Sequence, residues 1–437
     1  MENFDFEPIW HNYGLRSNLY FTEPLLIEQD HDTLVKLFVG REKEKEAISE
    51  IIKLGGGTRF LVIGEAGVGK TSLVNYMRSR TKEVSFFTPS AEIKFLSSWR
   101  VDDIIVTTIS EMYQELKSYG GDIEDRNLKS QLENVFQLSE LLVDVERTFN
   151  INTQKLASIF NQLVNEIIKS GFKCIILQYN NLDNIKDSDK LLSLLNDLRE
   201  FLQNRNVIYA FLGDEKTRDL IELRPRFREI FVLEHVYVNN LSNKEIKEII
   251  NKRIDYLKIK EYNFVRPHTE ECIDVLFDLY KGNLRSILNS LSYSLRGVKE
   301  PKTISKVELK ERLLSSAERL FLNKLSPLER DILYRIISLD KVSNSDIAKE
   351  FKKKRQNVSA YFKKLEDIQA IELHSKEGTR IYYKPTIESQ WLGLRISDTE
   401  IKREEKAKKE KQRETIEKLK DMNLFDFEGF ETDASDN

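Results

Sequence analysis

Through the first half of the chain, short apolar runs alternate with stretches of helical spacing. Arg59 to Ile63 is an apolar run that ends in a glycine-rich loop, and Ser72 to Arg80 has helical periodicity. Val84 to Phe87 predicts a second strand, followed by helical patterns over about 102–118 and 126–169. Lys173 to Tyr179 predicts a strong third strand, 187–204 a helix, and Asn206 to Leu212 a further strand. Short apolar runs separated by helical periods predict an α/β domain with a mainly parallel sheet covered on both faces.

Beyond about residue 240 the strand signals stop. Asn243 to Leu257, Thr269 to Tyr280 and 283–296 read as amphipathic helices of a small helical unit. Another unit runs from about Thr303 to Pro385. Ser326-Pro327-Leu328-Glu329 has the form of a helix start, with a capping Ser, Pro at the first turn and Glu three positions after the cap. Ser345 to Phe351 predicts a second helix and Arg355 to Leu365 a third, with Val358, Phe362 and Leu365 on one apolar face. Ala370 to His374 and Thr379 to Tyr383 then read as two strands joined by a turn at Ser375 to Gly378, with His374 assigned to strand packing. This order resembles the winged helix-turn-helix family. Residues 398–420 read as a solvated charged helix. The stretch 421–437 has six acids (Asp421, Asp426, Glu428, Glu431, Asp433, Asp436) and no base, which predicts disorder. The expected division is an arm at 1–36, a core at 37–240, a helical lid at 241–302, a winged helix at 303–397 and a charged tail at 398–437.

Composition agrees with several globular units. The 437 residues are 40% hydrophobic and 32% charged, and a prior of about 150 residues per domain gives roughly three domains. A net charge of −3 provides no global attraction to nucleic acid or membrane, so any basic surface must be local. Two distant cysteines, Cys174 and Cys272, lie in apolar stretches without metal-ligand spacing and exclude a disulfide framework. The acidic start, Met1 to Asp5, lacks a signal pattern, and no run of about 18 apolar residues occurs, so a cytoplasmic protein without a membrane partner is expected.

The chemistry concentrates at Gly64-Glu65-Ala66-Gly67-Val68-Gly69-Lys70-Thr71, followed by Ser72. A Gly-x-x-x-x-Gly-Lys-Thr run between a strand and a helix is a phosphate-binding loop. Glycines let the backbone N–H groups turn inward around phosphate oxygens, and the following helix points its positive end at them. Lys70 is expected to reach the β- and γ-phosphates of ATP, and the Thr71 hydroxyl to bind Mg2+.

Upstream, Leu37-Phe38-Val39-Gly40-Arg41-Glu42 resembles the segment that opens AAA+ modules of the initiator, or origin-recognition, type and of related STAND-type signal-transducing ATPases. The resemblance covers about residues 37–300. It implies that Gly40 and Arg41 line the adenine pocket, and that the strand 173–179 carries the Walker B acids. Aligned one way those positions are Asn180-Asn181-Leu182-Asp183; aligned directly after the apolar run, the first acid becomes Gln178. Either way an amide replaces at least one carboxylate, and an amide cannot accept a proton at neutral pH. Slow hydrolysis, or binding without turnover, is therefore expected, with Asn180, Asn181 and Asp183 as the residues around metal and water, and Asp183 as the acid at this edge. By the same resemblance Asp214 is a γ-phosphate sensor or a loop cap. Arg226, within Arg224-Pro225-Arg226-Phe227-Arg228, is a finger for a neighbour's nucleotide or part of a solvated basic turn. Arg285, in Gly282-Asn283-Leu284-Arg285, is a second sensor that couples lid angle to the γ-phosphate.

Residues 341–384 have eleven Lys and Arg against six Asp and Glu, a surplus of five positive charges. Lys352, Lys353, Lys354 and Arg355 cluster at the start of the third helix, the end that meets DNA in helix-turn-helix folds. Gln356, Asn357 and Ser359 would then face base edges. Lys376 and Arg380 are expected wing contacts. A winged helix used only to hold protein is the alternative. Phe4-Asp5-Phe6-Glu7 and Phe425-Asp426-Phe427-Glu428 repeat one tetrapeptide near both ends, by chance or as a docking motif together with Phe430. The expected function is an ATP-dependent, self-associating switch on duplex DNA. The other reading is a signal-transducing regulator, as in a bacterial defence or mobile-element system, whose tail or winged helix holds a separately encoded effector protein.

Overall fold

The computed structural model describes residues 8–27, 31–121, 123–141, 152–185, 187–231, 235–339, 341–377 and 380–394. Both aromatic-acidic tetrapeptides, the charged segment 398–437 and the turn residues Gly378 and Thr379 lie outside the described residues. The chain divides into two compact units, 1–264 with 276–289, and 265–275 with 290–437.

The first unit is built on a parallel sheet. Its strands are β1 (Arg59–Ile63), β2 (Phe86–Phe87), β3 (Ile93–Lys94), β4 (Cys174–Asn180), β5 (Val207–Gly213) and β6 (Val236–Tyr237). They lie in the order β2-β4-β5-β1-β6, with β3 also paired to β4, and every pairing is parallel. All seven residues of β4 and all seven of β5 are buried, so the strands read as continuous apolar runs instead of alternating ones. Their faces still alternate. Ile175, Leu177, Tyr179, Val207, Tyr209 and Phe211 face α3 (Val101–Ser118), α4 (Arg126–Leu141) and α5 (Thr153–Lys169). Cys174, Ile176, Ile208, Ala210 and Leu212 face α1 (Glu42–Lys53) and α2 (Lys70–Lys82). Burial raises the Cys174 thiol to about 11, in keeping with a small packed side chain.

Two expectations are corrected here. Helical spacing over 126–169 does not give one helix: Asn152 is extended, and its side chain accepts from the Gln154 and Lys155 amides as the N-cap that starts α5. The strand expected from Val84 starts only at Phe86, because Ser85 takes a left-handed conformation (φ 67°). Helices α6 (Ser188–Asp197), α7 (Glu215–Glu222) and α8 (Asn243–Leu257) also belong to this unit, along with parts of α9 (Glu270–Tyr280) and α10 (Leu284–Ser294).

The second unit contains α11 (Lys306–Phe321), α12 (Pro327–Leu339), β7 (Val342–Ser343), α13 (Asn344–Glu350), α14 (Arg355–Asp367), β8 (Ile371–Glu377) and β9 (Arg380–Pro385). The three helices and the hairpin follow in the order expected, and a short strand that was not expected, β7, joins them in a sheet of order β7-β9-β8. Val358, Phe362 and Leu365 are buried on one face of α14, packed in the same unit as the buried Ile332, Leu333 and Ile336 of α12. Trp391 is buried, and its indole N–H donates to Ser290 Oγ (3.1 Å). His374 differs from expectation. The β8–β9 register shifts between Leu373 and Ser375, and the bulge leaves His374 exposed instead of packed.

Candidate functional site

Sheet topology selects one place on the first unit. The chain leaves β1 for β2 at the far edge of the sheet and returns with β6 to the other side of β1. Such reversals open a crevice at the carboxyl end of a parallel strand, and here residues 64–69 fill that end.

The loop is shaped as an anion cradle. Gly67 (φ 87°) and Gly69 (φ 97°) are left-handed, as glycine allows. Gly64 is not, which corrects the expectation that all three glycines serve by positive φ: a Cβ there would lie 2.4 Å from the Val238 carbonyl oxygen, so close approach is the reason. Helix α2 begins at Lys70 with no side-chain cap and no acid in its first turn. Its first N–H groups and its dipole thus remain available to phosphate oxygens.

Lys70 Nζ donates to the carbonyls of Gly64 (2.7 Å) and Glu65 (2.9 Å). Its pKa is lowered by desolvation, a shift opposed by Asp183 and Asp214 and reinforced by Arg285. Thr71, Asn181, Asp183 and Arg285 all line the crevice with the loop. Asn181 is left-handed (φ 63°), and the turn after it, Leu182–Asn184, carries Asp183 to the mouth. The Asp183 carboxyl is open to solvent, yet the cleft walls displace enough water to raise its pKa, with Lys70 opposing. Asp214 caps α7, accepting from the Thr217 amide and hydroxyl (2.8 Å each). The Arg226 backbone lies in the short helix Pro225–Arg228, and its side chain is outside the described atoms.

Arg41, left-handed at φ 64°, buries its guanidinium and donates to the Val68 carbonyl (2.8 Å), bracing the loop from behind. A Cβ on Gly40 would meet Glu245 Oε1 at 2.2 Å. Asn283, two residues before Arg285, donates to the Ala66 carbonyl (2.9 Å). Ser72 accepts from the Leu25 amide (3.1 Å), and Thr22 to Pro24 form part of the crevice wall.

The strand end holds what the sequence did not disclose. Arg78, on the inner face of α2, is 1% exposed. It donates to Thr88 Oγ1 (2.7 Å), Asn75 Oδ1 (3.2 Å), Gln178 Oε1 (2.9 Å), the Pro89 carbonyl and the Ala91 carbonyl (3.2 Å). Gln178 Nε2 in turn donates to Asn180 Oδ1 (2.9 Å). Asn180 Nδ2 then donates to Glu92 Oε2 (2.5 Å) and, at 3.4 Å, to Thr71 Oγ1. Asn75, Arg78, Glu92 and Arg253 escaped the motif reading, and Asn283 entered it only as a spacer between Gly282 and Arg285. A visible signal existed for one of them: Arg253 is an arginine on the apolar face of a helix, beside Ile249 and Ile250.

Among the described residues no group of three or more His, Cys, Asp or Glu could hold a metal by itself. Magnesium commonly binds through one or two protein oxygens plus substrate phosphates, and the uncapped helix start beside Thr71 fits a metal that arrives with a phosphate. Also among the described residues, no helix is long and apolar enough to cross a membrane.

In the second unit Lys352 (φ 51°), Lys353 and Lys354 form the turn between α13 and α14, and all three are exposed with Arg355, Gln356 and Asn357. Ser359 is exposed too, accepting from Asn344 Nδ2 (3.1 Å) and donating to the Arg355 carbonyl (3.0 Å). Lys376 and Arg380 are exposed on the hairpin.

No protein-family model and no curated protein matches the chain. Solved structures do. A Walker-type ATPase of Pyrococcus abyssi is 16% identical, covering 86% of this chain and 100% of its own, with a TM-score of 0.48. The Aeropyrum pernix ORC2 protein, in ADPNP–ADP complexes, is 12% identical over 84% of this chain and 96% of its own (TM-score 0.44). The Aeropyrum pernix ORC1 protein, in complex with DNA, is 11% identical over 86% of this chain and 98% of its own (TM-score 0.44).

Proposed function

We propose that this chain is an AAA+-like, ATP-binding switch of the origin-recognition type that associates with duplex DNA through its C-terminal unit. The observation that carries the nucleotide reading is the uncapped start of α2 behind two left-handed glycines, with Lys70 and Thr71 at the same end. Backbone N–H groups would hold the phosphates, Lys70 would leave its two carbonyl partners to meet negative charge, and Thr71 would take the Mg2+ that travels with ATP. When bound, the metal supplies charge neutralisation of the phosphates. A role for Gly40 and Arg41 at the base rests on the resemblance of residues 37–42, while Arg285, which lines the crevice, would read the γ-phosphate.

Turnover is expected to be slow. Gln178 and Asn180 end β4 with carboxamides, which orient but do not take protons, and the solvent-open Asp183 is the acid on that turn. Self-association through Arg226 or its neighbours belongs to the same reading.

DNA association is supported by the exposed run Lys352 to Asn357 at the start of α14, an arrangement suited to phosphate contacts with polar side chains next in line. The test is binding to random duplex DNA with ATP, ADP or no nucleotide at two salt concentrations, beside Lys70→Ala. Tighter, salt-sensitive binding with ATP that Lys70→Ala abolishes is the expected result. Absence of binding in every state would overturn the DNA reading.

A further inference from the structure

We propose that Glu92, from the loop before β3, is the carboxylate that serves magnesium at this site, in place of the acid missing from β4. The proposal rests on the reading of the crevice as an ATP–Mg2+ site.

The hydrogen-bond polarity around Asn180 carries the argument. A guanidinium only donates, so Arg78 fixes the oxygen of Gln178 toward itself and the Gln178 NH2 toward Asn180. That in turn fixes the oxygen of Asn180 inward and its NH2 outward, toward Thr71 and Glu92. Neither strand amide can then offer an oxygen to a metal beside Thr71. What the relay presents is a held carboxylate. Glu92 Oε2 accepts from Asn180, and Glu92 Oε1 accepts from Asn75 Nδ2 (2.7 Å), whose own oxygen is fixed by Arg78. Each carboxylate oxygen keeps a lone pair for a further partner.

Its position is set from both sides. Glu92 Oε2 and Thr71 Oγ1 rest on one nitrogen at 2.5 and 3.4 Å, so they are within about 6 Å of each other. Magnesium gives up its waters reluctantly, and a separation of that order suits a carboxylate that holds a metal-bound water. The loop carrying Glu92 is clamped by Arg78 at Thr88, Pro89 and Ala91, and by Glu115, which accepts from the Ser90 amide (2.7 Å) while pairing with Lys82 (2.8 Å). One guanidinium thus orients the amides and anchors the loop that delivers the acid.

The experiment measures affinity for a fluorescent ATP analogue in EDTA and across a Mg2+ titration. It compares the wild-type chain, Glu92→Gln, Asp183→Asn and the exchange Glu92→Gln with Asn180→Asp, with thermal melts confirming folding. For Glu92→Gln the expected result is unchanged affinity in EDTA and loss of at least tenfold of the gain that Mg2+ brings. The exchange, which moves the charge onto the strand, is expected to restore part of that gain and stands in if the single variant does not fold. Equal loss with and without Mg2+ makes Glu92 a structural counter-ion and overturns the proposal, as does a full Mg2+ gain in Glu92→Gln. Loss confined to Asp183→Asn assigns the role to Asp183 and also overturns it. A wild-type chain that binds nucleotide in neither condition overturns the ATP reading, and this proposal with it.

Discussion

Replacing Arg78 by Met tests the centre of the first unit. The guanidinium is buried, makes five hydrogen bonds, and is held down to about 10 by desolvation, with Glu92 and Glu115 opposing; it is therefore still charged at neutral pH. Met keeps much of the volume but leaves five acceptors without their donor and takes the positive charge away from Glu92 and Glu115. At about 1 kcal/mol for each orphaned acceptor the sum approaches 5 kcal/mol, and water entering the gap returns some of it. Removing one partner of a buried charged network costs about 3–5 kcal/mol by direct precedent, so a loss near 4 kcal/mol is expected. For a unit of this size that lowers the melting temperature by roughly 10 °C. Urea unfolding followed by far-ultraviolet circular dichroism, with no nucleotide present, measures it. Arg78→Lys, which keeps the charge and three of the five donors, should lose clearly less. A loss under about 1 kcal/mol for Met, or Lys as damaging as Met, would refute the account of a hydrogen-bond anchor.

Three further outcomes are expected. Gly67→Ala would place a Cβ 2.8 Å from Arg285 Cβ, whereas Gly69→Ala meets nothing within 4 Å, so nucleotide affinity should fall much further for Gly67→Ala in side-by-side titrations. His268 bonds Ser294 Oγ (2.7 Å) in a buried site that lowers its pKa to about 3, through desolvation first and then Arg312 and Arg266. The unfolded chain then binds the extra proton between pH 6.5 and 3. Stability of the second unit is therefore full above about pH 6.5 and falls with acid by up to ~1.4 kcal/mol per pH unit, a slope that His268→Gln removes in pH-dependent urea midpoints. Changing Lys352, Lys353 and Lys354 together to Gln should reduce the slope of log affinity against log salt by about 3 if all three meet phosphates.

How much was legible in the sequence follows from what each feature writes into it. Strands β4 and β5 are long and buried on both faces, so they stand out as apolar runs. β3 and β6, two residues each, are too short to form a pattern and exist through pairing with β4 and β1. The phosphate loop was readable because its chemistry needs particular residues at fixed spacing. The Gly64 requirement was readable only as a glycine, since its cause, the Val238 carbonyl, is 174 positions away. The amides at the end of β4 were seen, and the acid beside them was not. Glu92 is one of many glutamates, and only folding sets it against Asn180, 88 positions on. Asn152 announced its helix start in plain residues, and the long helical period around it hid the break.

The segment Leu19–Leu25, a strap that contributes Thr22 to Pro24 to the crevice wall, puts a clock on the making of this pocket. Leu25 bonds Ser72 and Asn75, while Leu19 and Phe21 offer their carbonyls to Arg253, which also lies 3.6 Å from the Phe21 ring. On a ribosome the strap emerges before the phosphate loop, and Arg253 follows 232 residues after Phe21. At about 5–20 residues per second, the strap waits on the order of 10–50 seconds before that wall can close. During that interval the phosphate loop and its wall are already synthesised and the arginine that anchors the wall is not, so a nascent chain meets nucleotide with an unfinished site. Completion of the pocket thereby reports that the chain has been made at least as far as α10, which supplies Arg285 to the lining.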